Sequence, residues 1–337
     1  MRKLLLTLCN IPAVSGAEDK IREFILNEVS PYCTASVDQN GNIICFKKGK
    51  KTPLKKVMFD AHIDEVGLIA THITNDGFVK FATVGGIEVG TMLSKTVTFE
   101  NGVKGVVGIK PVHLSSEEER KNFPKADSLY IDIGAASKQE AESKVFLGDV
   151  AVFDSTPTLL GKNRVMARAI DDRAGVAVLI NLLKGDTQFD FYATFTVQEE
   201  VGTRGAKTAT FTVNPDYAVV LEATTAADIH GTAEDKTVCR LGGGPAISFM
   251  DNGTLYSRKL YETAINSGIC CQAKTLVAGG NNSRAISLSG SGVEVVAVSL
   301  PCRYIHSPSC VADLGDLENT LKMAEYLLEK LANGTNL

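Results

Sequence analysis

With 337 residues, 44% of them hydrophobic and 22% charged, the chain has the composition of an ordinary globular protein and a length sufficient for two domains, since domains run on the order of 100 to 200 residues. Its net charge of −4 excludes the basic footprint of a nucleic-acid or anionic-membrane binder, and no run approaches the ~20 apolar residues of a membrane helix. The eight cysteines, Cys9, Cys33, Cys45, Cys239, Cys270, Cys271, Cys302 and Cys310, contain no CxxC pair and read as reduced, mostly buried thiols of a cytoplasmic protein.

The N-terminal MRKLLLTLCNIPAVSG opens like a signal peptide, but Asn10 and Pro12 break its apolar run, so a cytoplasmic location is expected. Ser15 and Glu18 read as a capping box, and Ile21, Phe24, Ile25 and Val29 recur at helical spacing, which predicts a helix over 16–30 that stops before Pro31. TASVDQ and NIICFKK flank Asn40-Gly41, the signal of a two-residue hairpin turn. In KKVMFDAHIDEVG the VMF run reads as a short buried strand, with His62 and Asp64 just past it.

Over 71–163 short β-like runs alternate with turns at Asn75-Asp76-Gly77, Gly85-Gly86 and Asn101-Gly102, which predicts an inserted β domain, a barrel or sandwich. KPVHLSSEEERKNFPKAD inside it reads as a polar surface excursion. The flanking residues 1–70 and 164–337 read as one α/β domain. In it, AIDDRAGVAVLINLLKG predicts a helix opened by Asp171 and Asp172, with Val176, Leu179, Ile180 and Leu183 as its buried stripe and Gly185 at its close. FDFYATF reads as a buried strand running out at Glu199 and Glu200, YAVVLEATT as a strand ending in Glu222, and VEVVAVSLPCRYIHS as a strand ending near His306. SRKLYETAINSG reads as a helix, CQAKTLVAGG as a strand and turn, and 314–331 as a final helix capped near Asp313 and burying Leu317, Leu321, Ala324, Leu328 and Leu331. The alternation predicts a mostly parallel sheet with helices on both faces.

In such a sheet the functional crevice lies beyond the carboxyl ends of the strands. His62, Asp64, Glu199, Glu200, Glu222 and His306 all fall at or just past strand ends, and Asp171 falls at a helix start, so they converge on one rim. Each alone has a structural explanation, as has each of His72, His113 and His230, which show no convergence. Together, two imidazoles and at least three carboxylates suit a borderline divalent ion such as zinc and suffice for two ions if one carboxylate bridges them. Asp171, short and held at a helix start, is the natural bridge. Asp64, two residues from His62, is placed to fix that ring's tautomer. Glu199 is then left as a free base.

The segments DAHIDEVG, AIDDRAG, QEEVGTRGA, LEATTAADIHG and CRYIHSP, in this order and spacing, closely resemble the M42 family of metallo-aminopeptidases, relatives of glutamyl aminopeptidase and the tetrahedral TET peptidases. The resemblance runs over essentially the whole chain. It implies one metal at His62, Asp171 and Glu222 and a second at Asp171, Glu200 and His306, with Glu199 as general base and Asp64 as the acid orienting His62. Zinc is the first expectation for both ions, with cobalt or manganese as alternatives. It further implies removal of N-terminal residues from short peptides, and an inserted β domain that builds dimers into a tetrahedral dodecamer. The chain departs from the family in carrying Glu222 where most members have Asp, and GGNNSRAI at 279–286 where the family reads GGTDA at the substrate-pocket wall. A dinuclear dipeptidase or deacylase is the nearest alternative. A glycoside hydrolase, the function behind the endoglucanase label of some members, fits poorly with a chain without Trp.

Overall fold

The computed structural model describes residues 1–334. Strands β1 (Thr34–Val37) and β2 (Ile43–Lys47) form an antiparallel hairpin with Val37 opposite Ile43. Its connection is longer than the two residues that Asn40-Gly41 predicts, because the Asp38 carboxylate draws in the backbone N–H groups of Asn40 and Asn42 at 2.9 and 3.0 Å. Strand β3 (Val57–His62) follows and is buried along its whole length.

The chain then leaves for a closed six-stranded antiparallel barrel, built from β4 (Gly67–Ile73), β5 (Val79–Val84), β6 (Thr96–Phe99), β7 (Lys104–Gly108), β8 (Tyr130–Asp132) and β9 (Val150–Phe153). The alternation seen in the sequence sends Leu68, Val79, Val97, Phe99, Ile131 and Phe153 inward to a core of its own. Closure leaves no strand edge exposed. The polar excursion lies between β7 and β8.

The chain returns through β10 (Thr158–Leu160), β11 (Arg164–Ala167), β12 (Phe191–Thr196), β13 (Tyr217–Thr225), β14 (Ala246–Ile247), β15 (Gln272–Ala273), β16 (Glu294–Arg303) and β17 (Cys310–Asp313). These join the first three strands in one sheet of order β1-β2-β12-β3-β13-β16-β17-β11-β10, with β14 and β15 attached beside β16. The parallel pairing expected from the βα alternation holds for the central β12, β3, β13 and β16, whereas both wings are antiparallel. The four central strands therefore present their carboxyl ends on one rim.

The helix Ile170–Lys184 crosses one face of this sheet. It is not amphipathic as its predicted stripe implies: within it only Asn181 and Lys184 escape burial. The sheet covers one side of it, and the helices Arg2–Asn10 and Leu314–Asn333 cover the other. The leader-like apolar run at the N-terminus is that first helix, with Leu5, Leu8 and Cys9 buried. The second helix covers Asp19–Val29 rather than starting near 16, because the expected capping box does not form. Glu18 turns back to accept from the Gly16 N–H at 2.8 Å, and the Ser15 hydroxyl donates elsewhere, to Asp64 at 2.6 Å. The final helix, Leu314–Asn333, begins as expected, its Gly315 N–H held by the Asp313 carboxylate at 2.8 Å.

Candidate metal centre

β3 ends on His62, and the turn after it lays the Asp64 carbonyl 3.1 Å from the His62 Nδ1, with the Asp64 carboxylate 3.4 Å from the same nitrogen. Donation by Nδ1–H into this group leaves Nε2 as the acceptor and aims it at the rim. There it meets Asp171 Oδ1 at 3.1 Å and Glu222 Oε1 at 3.3 Å. The second Asp171 oxygen, Oδ2, lies 3.2 Å from His306 Nε2, which is 3.4 Å from Glu200 Oε2. One carboxylate thus stands between two imidazoles, each with a further acid beside it. Asp171 reaches this position from the first turn of its helix, where its φ and ψ of −80° and 109° are extended rather than helical.

Glu199 and Glu200 do not owe their directions to strand alternation. β12 stops at Thr196, and the pair sits in a turn closed by the Gly202 and Thr203 N–H groups on the Glu199 carbonyl, at 2.9 and 2.8 Å. Two groups hold this turn. Asp64 accepts from the Glu199 N–H at 3.0 Å and from the Glu200 N–H at 3.2 Å, so it positions the acids as well as His62. Asn42, wholly buried, accepts from the Val197 N–H and donates to the Gly205 carbonyl, both at 3.0 Å, clamping the two ends. A side chain at Gly205 would collide with Asn42 Oδ1 and the Val197 carbonyl, so only glycine closes the clamp. Glu222 likewise lies inside β13 rather than at its end, the strand running on to Thr225.

The electrostatics are those of charge withdrawn from water. Burial, reinforced by the negative charges of Asp171 and Asp64, pushes the Glu199 carboxyl up to about 7 against the opposing charge of His62. Burial likewise drives Glu200 and Glu222 well above the carboxylate range. For His306 burial acts downward, but Asp171 and Glu200 outweigh it and hold the imidazole up at about 9. Glu200 Oε1 and Asp172 Oδ2 are buried with no hydrogen-bond partner among the described residues. Such orphaned anions are costly unless a cation compensates them. The donors are imidazole nitrogens and carboxylate oxygens separated by 3.1–3.4 Å, close to the ~3.3 Å between neighbouring ligands of a tetrahedral ion bound at about 2.0–2.2 Å. The donor set therefore fits divalent metal.

His62, Asp171, Glu199, Glu200, Glu222 and His306 line one wall of a cavity of about 380 Å³. The barrel contributes Gly86 to this cavity, and the GGNNSRAI loop contributes Gly279, Gly280 and Asn281. That loop is pinned by Asn282, which donates to Asp60 at 2.8 Å and to the Thr196 hydroxyl at 2.9 Å. His72, His113 and His230 lie outside the cavity. The structure adds to the site Asn42, Asp172, which the sequence offered only as a helix opener, and the buried cluster of Glu65 with Arg168 and Arg173. Asp172 has an oxygen near His62 and Glu222, and Glu65 also accepts from the Ala13 N–H at 3.0 Å, tying the N-terminal segment behind the site. The DE of DAHIDE and the two arginines around AIDD were the only sequence signals for that cluster.

A model of the family described as M42 glutamyl aminopeptidase matches residues 41–323. The chain is similar to the lysyl aminopeptidase of Pyrococcus furiosus, with 32% identity over 98% of this chain and 97% of that one. Among solved structures it is similar to an aminopeptidase from the archaeon Desulfurococcus kamchatkensis, at 35% identity and a TM-score of 0.92 over 97% of this chain and 94% of that one. It is also similar to the Pyrococcus horikoshii TET1 peptidase, which can assemble into a tetrahedron or a large octahedral shell, at 34% identity and a TM-score of 0.84 over 97% and 98% of the two chains.

Proposed function

We propose a reaction for this chain, which belongs to the M42 glutamyl aminopeptidase family: hydrolytic removal of the N-terminal residue of short peptides at a centre of two divalent metal ions. The observation that carries this reading is Asp171, whose two oxygens face two different imidazoles, the disposition a shared ligand requires. His62, Asp171 and Glu222 would hold one ion, and Asp171, Glu200 and His306 the other. When bound, such ions would lower the pKa of a coordinated water and polarise the scissile carbonyl. Zinc suits the mixed nitrogen and oxygen donors, and cobalt or manganese are the alternatives.

The remaining work falls to the chain itself. Glu199, half-buried and not needed as a ligand, takes the proton of the attacking water at its carboxylate and returns it to the nitrogen of the departing peptide. A carboxyl raised toward neutrality is suited to both halves of that exchange. Asp64 holds the proton of the neutral His62 ring on Nδ1, which leaves Nε2 as the ligand atom, and it holds the turn that carries Glu199. The test is Glu199→Gln: the variant is expected to retain metal and fold while losing about 10²- to 10⁴-fold in kcat on aminoacyl-arylamides. Near-wild-type turnover would remove Glu199 as the base.

The likeness to the TET1 peptidase, which can assemble into a tetrahedron or a large octahedral shell, supports assembly of this chain too, and we propose the barrel as the module that joins dimers into a tetrahedral dodecamer enclosing the active sites and admitting only short unfolded peptides. Light scattering that found fully active monomers would overturn this. A cytoplasmic location is supported by eight unpaired cysteines. Among the described residues no helix is long and apolar enough to cross a membrane.

A further inference from the structure

The lining of the catalytic cavity carries one feature that metal binding does not use. Lys274, directly after β15, is the one Lys or Arg among the residues lining the cavity, and it is only 6% exposed. Its backbone is fixed, the N–H donating to the Ile247 carbonyl at 2.9 Å as a continuation of the β14–β15 pairing. An ammonium has three hydrogens to donate. The structure accounts for one, a 2.9 Å bond from Nζ to the Ala278 carbonyl, and among the described residues no carboxylate stands at ion-pair distance, the charges of Asp251 and Glu222 acting on it from further away. Burial pulls this ammonium below the ordinary lysine range. A buried cation with spare donors is costly to the free protein, and an arriving anion would offset that cost.

Family membership leaves the preferred residue open, since the family is described by a glutamyl activity and a relative by a lysyl one. The cavity of about 380 Å³ has room for the residue being removed. With the α-amino group and scissile carbonyl of a peptide at the acid cluster, the rest of the lining, which includes Val238, Lys274 and Ala278, is left for its first side chain. We propose that Lys274 sets the specificity of the enzyme by binding an acidic side chain, so that the preferred N-terminal residue is glutamate or aspartate. This rests on the aminopeptidase reading above.

The experiment compares kcat/KM for Glu-, Asp-, Gln-, Leu- and Lys-arylamides on the metal-loaded wild type and on Lys274→Met, which keeps the aliphatic stem and removes the charge. A hydrogen-bonded charge pair predicts that the wild type favours Glu or Asp over Gln by about ten- to a hundredfold and that the variant loses this margin while its Leu rate stays within about threefold. A calorimetric titration with free L-glutamate and L-glutamine gives a second readout without turnover: the wild type should separate the two ligands and Lys274→Met should not. A wild type that prefers Leu or Lys substrates overturns the proposal, as does a variant that loses all substrates equally, which would make Lys274 a structural prop for the Ala278 carbonyl. Should no arylamide be cleaved by the metal-loaded wild type, the aminopeptidase reading itself falls, a result distinct from either of these.

Discussion

The barrel and the rim of the large sheet solve opposite problems. The barrel core is entirely apolar, with Leu68, Phe81, Val97, Phe99, Ile131 and Phe153 meeting inside a closed ring of strands. The rim buries His62, Asp64, Asp171, Asp172 and Glu222 within a few ångströms of one another. One region gains stability by removing hydrocarbon from water. The other withdraws charge from water at a cost that ligands must offset, a local conflict of the kind that marks a functional site. Stability and chemistry are thus assigned to different parts of one chain.

This contrast can be broken at several points, in order of their expected effect on turnover. Removing metal with EDTA is expected to abolish arylamide hydrolysis and to lower Tm, because Glu200 and Asp172 are then left uncompensated. Full activity after exhaustive chelation would mean that the acid cluster works alone, as in a glycosidase. Glu199→Gln follows, with its loss in kcat and a Tm at or above that of the wild type in the chelated protein, since an amide needs no counter-charge. Asn42→Ala frees both ends of the acidic turn and should cost about 1–3 kcal/mol in a denaturant titration, from the groups left unpaired at Val197 and Gly205. Displacing Glu199 and Glu200 should also cut kcat roughly ten- to a hundredfold. Phe99→Ala in the barrel core should leave kcat of the folded enzyme almost unchanged while costing about 3–5 kcal/mol in the same titration. A large fall in kcat from Phe99→Ala would show that the two regions are coupled.

Much of the architecture was legible in the sequence because hydrophobic period and turn residues report directly on strands and helices. The barrel announced itself through Asn75-Asp76-Gly77 and Asn101-Gly102, and both Gly77 and Gly102 do take positive φ. The site residues could be placed near one rim for the same reason: His62, Glu199 and His306 follow apolar runs. What was not legible is how the acids are aimed. A doublet of acids after a strand reads as alternation, but the Val197–Gly205 turn and its Asn42 clamp arise from contacts between residues more than a hundred positions apart. Local pattern carries no record of such contacts. Ser15 misled for a related reason: its hydroxyl donates to Asp64 instead of accepting from the N–H groups of the helix it was expected to cap.

The barrel begins and ends on neighbouring strands, β4 and β9 pairing antiparallel with Leu68 opposite Ala151 and Ile69 opposite Val150. Its two junctions with the rest of the chain therefore lie about one strand spacing apart, roughly 5 Å. A module tethered this way can be exchanged, enlarged or excised by lineage or by engineer through a short splice, with His62 on one side of the cut and Asp171 on the other left in place. The exception is the Gly85-Gly86 turn, which backs onto Glu200 and His306. A replacement module would have to supply a turn equally bare at that point, and that small demand is what ties an otherwise portable domain to the chemistry beneath it.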